Sequence, residues 1–119
     1  MLDVVTDAQA AGVAAVRAGV DCRSVDRVCR DLIAAAGWAD AFLHGTGHAL
    51  GLEIHEQPRF SSLADATVGD GCVMTVEPGV YLPGHGGVRV EDTVLVTSDG
   101  CRPLTHSPKI PRIPVPGSA

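Results

Sequence analysis

Basic charge is scarce in this chain. Nine Lys and Arg stand against 14 Asp and Glu, a net charge of −5. That balance offers no electrostatic footprint for nucleic acid. Long apolar runs are missing too: Arg17 and Asp31 interrupt the best candidates, and none reaches the roughly 18 residues that a membrane span requires. The first residues, Met1-Leu2-Asp3-Val4-Val5-Thr6-Asp7, are acidic where a secretory leader would be basic. None of the four cysteines (Cys22, Cys29, Cys72, Cys101) forms a C-x-x-C pair, which leaves a zinc knuckle or a thioredoxin-like motif unsupported. Without a secretion signal the thiols are expected to stay reduced, and Cys29, in an apolar helical stripe, reads as core. There is no internal repeat. These absences together predict a cytoplasmic chain with no nucleic-acid and no membrane partner.

What is present is enough for one domain. The chain has 119 residues, 45% of them hydrophobic, sufficient to bury a real core and too apolar for intrinsic disorder of the body. Residues 3–18 repeat Val and Ala at helical spacing, with Gly12 inside and Gly19 as an end signal. Ser24 is a candidate N-cap for a second helix, with Asp26 in its first turn and Val25, Val28, Cys29, Leu32 and Ile33 on its apolar face. Gly37 ends it. Beyond Gly37, residues 58–71 read as loop and 72–77 as a strand stopped by Pro78-Gly79. An extended path continues through Val80–Leu82, a turn-rich loop spans 83–87, and 88–96 form one β-branched strand. Ser98-Asp99-Gly100 turns back into a strand from Cys101 to Leu104. The last stretch, 106–119, holds four prolines and is expected to be a disordered tail. The fold class is therefore α+β, two helices followed by an antiparallel sheet over 1–105.

Three clusters carry chemistry. His44-Gly45-Thr46-Gly47-His48 and, seven residues on, His55 place imidazoles among small residues that allow close approach; three satisfied loop histidines are the competing account. Glu77 closes an apolar strand, either as a metal ligand or general base, or as a strand end facing water. In Gly87-Val88-Arg89-Val90-Glu91-Asp92, alternation puts Arg89 and Glu91 on one strand face, either lining an anionic site or forming a weak solvated pair. One imidazole and two carboxylates on separate elements are suitable ligands for Mn, Co, Fe or Zn.

The string from His44 to Pro58 resembles the pita-bread metallopeptidases, which include methionine aminopeptidase, Xaa-Pro aminopeptidase, prolidase and creatinase. Glu77-Pro78-Gly79-Val80-Tyr81 and Gly87 to Asp92 resemble that family's next two motifs, in order, and the likeness runs from about residue 3 to residue 105. The Val-Arg-Val-Glu-Asp form is more similar to the Xaa-Pro branch. The resemblance implies that His48, Glu77 and Glu91 are metal ligands, with Glu77 also the general base. It implies that His55 hydrogen-bonds the substrate or the tetrahedral intermediate, that His44 lines the pocket, and that Arg89 orients Glu91 or meets a substrate carboxylate. The implied reaction is metal-assisted hydrolysis of the peptide bond before a proline in second position, by two metals about 3.5–4 Å apart, manganese being the first expectation.

The family's full site also uses two aspartates on an upstream β-hairpin. Nothing before His44 reads as that hairpin: Asp3 and Asp7 fall in the first helix, and Asp21, Asp26 and Asp31 in or beside the second. The chain therefore resembles the C-terminal half of a pita-bread domain. Two divalent ions would bring twice the positive charge that Glu77 and Glu91 can balance, so at most one ion is expected, and the chain alone is expected to be inactive. The half-domain should expose apolar surface, inviting self-association or a chain that supplies the missing half. The competing function is a non-catalytic peptide- or protein-binding module derived from the same fold.

Overall fold

The computed structural model describes residues 1–109 and 115–117. Two helices pack against each other and against a five-stranded antiparallel sheet. Helix α1 spans Leu2–Ala15 and helix α2 spans Cys22–Ala35. The strands are β1 Gly47–Ala49, β2 Glu56–Phe60, β3 Val73–Val76, β4 Gly79–Leu82, β5 Gly86–Arg89, β6 Asp92–Val96 and β7 Cys101–Pro103. The main sheet runs β2-β1-β3-β6-β7, while β4 and β5 form a separate hairpin. Among the described residues no helix is long and apolar enough to cross a membrane.

The helices meet through small residues. Val5, Ala8 and Gly12 are buried along α1, and a Cβ on Gly12 would lie 2.5 Å from the Cys29 Sγ of α2. The helix-weakening glycine thus stands where the second helix comes closest. Helix α1 stops at Ala15, short of the expected 18, because Val16 turns extended to enter the core. From there the Ala18 amide binds the Thr97 carbonyl at 2.9 Å instead of a helical partner. Helix α2 is capped three residues before the expected Ser24. Asp21 is its N-cap, accepting from the Arg23 amide, a contact of the kind that contributes about 1 kcal/mol. Val25, Cys29 and Ile33 are buried at helical spacing, whereas Leu32 points outward. Gly37, at φ +88°, ends the helix as expected, and the Trp38 amide reaches back to the Ile33 carbonyl.

Two strand expectations need correction. Residues 58–71 are not all loop, since β2 includes Pro58; as an edge strand, β2 tolerates a residue that cannot donate to a ladder. The expected strand 88–96 is two strands. Residues up to Arg89 pair with β4, the buried Val90 donates to the Pro78 carbonyl, and β6 from Asp92 onward pairs with β3. The chain changes sheets at Val90-Glu91. The turn at 98–100 and the return strand are as expected. All four cysteines are free; burial pushes the Cys22 and Cys29 thiols up to about 11, so both stay protonated and unreactive near neutral pH. Part of the expected tail, 110–114 and 118–119, lies outside the described residues. Before it, Thr105 Oγ1 and Lys109 Nζ both donate to Asp92 Oδ1, at 2.8 and 2.7 Å.

Candidate metal centre

The site is assembled where β1 crosses β3. Their approach depends on Gly47: a Cβ there would sit 1.9 Å from the Thr75 carbonyl oxygen. Thr75 is buried and two positions before Glu77, on the same strand face. Its hydroxyl accepts from the His48 amide at 3.0 Å and donates to Glu77 Oε1 at 2.8 Å. The Glu77 amide binds the Thr46 carbonyl at 2.6 Å. His48 and Glu77 are thus held by backbone pairing and one shared hydroxyl.

The contact between these two residues decides what the corner can hold. His48 Nδ1 faces the Ala49 carbonyl at 2.9 Å, so this nitrogen carries hydrogen. Its Nε2 lies 3.1 Å from Glu77 Oε1. In a neutral imidazole of that tautomer Nε2 is an acceptor, and so is a carboxylate oxygen. Two acceptors at this distance require a proton or a cation between them. An imidazole with one nitrogen on a carbonyl and the other turned toward a carboxylate also has the orientation of a metal ligand. By donor chemistry, His48 and Glu77 fit a divalent cation.

Glu91 is not gathered as closely. Arg89 Nε stands 3.9 Å from Glu77 Oε2 and 3.9 Å from Glu91 Oε2, a cation between the two carboxylates. Burial, followed by the charge of Glu77, raises the Glu91 carboxyl above its ordinary range, with Arg89 opposing. Among the described residues no group of three His, Cys, Asp or Glu is arranged to hold a metal ion. The expected ligand residues also face different spaces. His44, His48, His55 and Glu77 line a cleft of about 220 Å³. Arg89 and Glu91 line a larger one, about 590 Å³, together with Leu2 and Pro108.

The other histidines divide. The His55 ring lies 4.4 Å from that of His48 and is exposed, able to reach a bound molecule. His44 has both nitrogens engaged, Nδ1 donating to the Gly45 carbonyl at 2.8 Å and Nε2 accepting from the Tyr81 hydroxyl at 2.7 Å. His85 lies in the exposed turn before β5. Sequence reasoning missed Tyr81, Thr75 and Arg59, the last lining the smaller cleft beside His55. Thr75 could have been found from the two-residue strand period that links it to Glu77. Arg59 was hidden inside a segment read as loop.

Residues 1–98 match the model of metallopeptidase family M24. The chain belongs to metallopeptidase family M24. It is 51% identical over 106 residues to YqhT, an uncharacterized peptidase of Bacillus subtilis, covering 89% of this chain and 30% of that protein. It is 43% identical over 105 residues to a Xaa-Pro dipeptidase of Pyrococcus furiosus, covering 88% of this chain and 30% of that one. Its structure matches the Xaa-Pro dipeptidase of Bacillus anthracis with a TM-score of 0.89 at 45% identity, over 92% of this chain and 31% of that one. The M24 chain therefore spans about 30% of the length of these relatives. Its two helices and antiparallel sheet are the C-terminal half of a pita-bread fold.

Proposed function

We propose that this M24 chain carries the downstream part of a metal-dependent peptidase site that cleaves the bond before a proline in the second position of a short peptide. The observation that carries the proposal is the approach of His48 Nε2 to Glu77 Oε1 at 3.1 Å, with His48 Nδ1 turned to the Ala49 carbonyl. His48 and Glu77 would hold a divalent ion, manganese first, and Glu91 would join them once Arg89 moves aside. Such an ion supplies Lewis-acid polarisation and makes water a usable nucleophile near neutral pH. With Oε1 already accepting from Thr75, Oε2 is the Glu77 oxygen left to take a proton. His55, exposed beside His48, would donate to the oxygen on which charge develops. His44, with neither nitrogen free, acts as a wall of the pocket. Arg59 on the same cleft would meet the free carboxylate of a dipeptide. An Xaa-Pro bond offers no amide N–H, so recognition of the leaving residue rests on shape and on that carboxylate.

The whole reaction needs more carboxylate than Glu77 and Glu91 supply, and the two further aspartates are assigned to a segment outside this chain. The test is a calorimetric Mn²⁺ titration of the chain and of Glu77→Gln, followed by an Ala-Pro cleavage assay. One site in the parent, lost in the variant, is the expected result. Equal binding in both would remove Glu77 from the site and the proposal with it.

A further inference from the structure

Asp26 is a carboxylate only 1% exposed in the middle of α2, and no step above uses it. It does not serve the helix dipole in the first turn, as its position after Ser24 had suggested. It accepts four hydrogen bonds. Arg30 Nε and Nη2 donate to it at 2.9 and 3.1 Å, and Thr46 donates both its amide and its hydroxyl, each at 3.0 Å. The other face of the Arg30 fork leaves the helix altogether. Nη1 donates to the Phe42 carbonyl at 3.1 Å and Nη2 to the His44 carbonyl at 2.8 Å, while the guanidinium lies 4.2 Å over the Phe42 ring. Phe42 in turn stands edge-on to the His44 ring, centroids 5.3 Å apart.

We infer that the Asp26–Arg30 pair is a positioning device for the site: Arg30 sets the His44 ring against Tyr81, and Asp26 sets the Thr46 peptide on which the Glu77 backbone rests. The inference rests on the reading of His44 and Glu77 given above and names what holds them. An ion pair that served only stability could stop at the i,i+4 contact within α2. This one makes four further hydrogen bonds, to residues 42, 44 and 46, all within six positions of His48. The planar Arg fork is what allows it, since a lysine has one nitrogen and cannot span two carbonyls and a carboxylate together.

The test reads geometry rather than activity, so it stands apart from the fate of the peptidase proposal. In the parent chain, nitrogen-resolved NMR of the imidazoles should show His44 fixed as the Nδ1–H tautomer and His48 with hydrogen held on Nδ1. In Arg30→Lys the His44 signals should lose that fixed pattern and move toward tautomer averaging, while His48, anchored through Ala49, keeps it. A folded Arg30→Lys chain with unchanged His44 signals overturns the inference. Should the variant fail to fold, hydrogen exchange on the parent decides the Asp26 half. The Thr46 and Glu77 amides should exchange at least about a hundredfold slower than those of the exposed residues Leu52 and Leu63; exchange at the same rate as Leu52 would overturn it.

Discussion

The two corners of the site are built on different principles. At the β1–β3 crossing, His48 and Glu77 are placed by ladder pairing, a buried hydroxyl and backbone bonds to Thr46. At the β5–β6 junction, Arg89 and Glu91 sit where the chain changes sheets, half-exposed and related only by ion pairs at 3.9 Å. The first corner is held by backbone pairing and a buried hydroxyl. The second is arranged by charge, and a cation already present on the chain occupies the space between its carboxylates. The difference teaches that a ligand set can be half preorganised, and that the loose half is where metal affinity can be tuned.

The strongest way to break this contrast is at Gly47. Gly47→Ala would drive a methyl group into the Thr75 carbonyl, and neither strand can retreat without losing the crossing. We expect a loss of more than about 3 kcal/mol or outright failure to fold, read as a fall in denaturant midpoint. A fall of a few tenths would mean that the crossing is soft and the first corner no better fixed than the second. Thr75→Val comes next. It leaves the His48 amide without its acceptor and Glu77 without its donor, which should cost about 1–3 kcal/mol and weaken Mn²⁺ binding in calorimetry. Unchanged Mn²⁺ affinity in a folded Thr75→Val chain would show that the shared hydroxyl does not place the ligands.

Arg89→Gln probes the other corner. Stability should stay within about 0.5 kcal/mol, as for other exposed positions. Mn²⁺ should bind more tightly, by up to about fivefold, the range that exposed charge pairs command. Weaker binding instead would make Arg89 a supporter of the carboxylates rather than a competitor for them.

Much of the first corner was legible because its residues are close in sequence to glycines and strand ends that leave few alternatives. His48 between small residues and Glu77 before Pro-Gly are cases of this. The α+β order, the stop at Gly37 and the hairpin at 98–100 were legible for the same reason: local turn chemistry agrees with the tertiary fold. What stayed hidden was set by partners far along the chain. Asp26 read as a first-turn helix charge, and only Thr46, twenty positions away, shows otherwise. The run 88–96 carries β-branched residues on both sides of the break (Val88 and Val90, then Thr93, Val94 and Val96) and no Gly or Pro, so no turn residue marks Val90-Glu91 as the place where the chain leaves one sheet for another. Pro58 argued against a strand because an edge position cannot be recognised before the sheet order is known.

The smallest expected effect separates two adjacent carboxylates by sign. For Asp92, burial by itself would raise the carboxyl, but Lys109, Thr105 and Gln9 outweigh it and hold the group below its ordinary range. Its stabilising share is present above the unfolded value of about 3.9 and is lost as pH falls through the lowered folded one. Glu91, raised by burial and by Glu77, behaves oppositely. The ionised form costs the folded state above its raised value, and that cost disappears as pH falls toward the unfolded value of about 4.3. With its side chain 43% exposed, the cost is screened to no more than about 0.5 kcal/mol. Glu91→Gln should therefore stabilise the chain slightly at pH 7 and not at all near pH 4. Asp92→Asn should destabilise it at pH 7, by an amount that fades only below about pH 4. Thermal melts of both variants across that range check the pair of signs. Destabilisation by Glu91→Gln at pH 7 would mean that Glu91 is held by Arg89 more strongly than it is repelled by Glu77, and the second corner would then be as well fixed as the first.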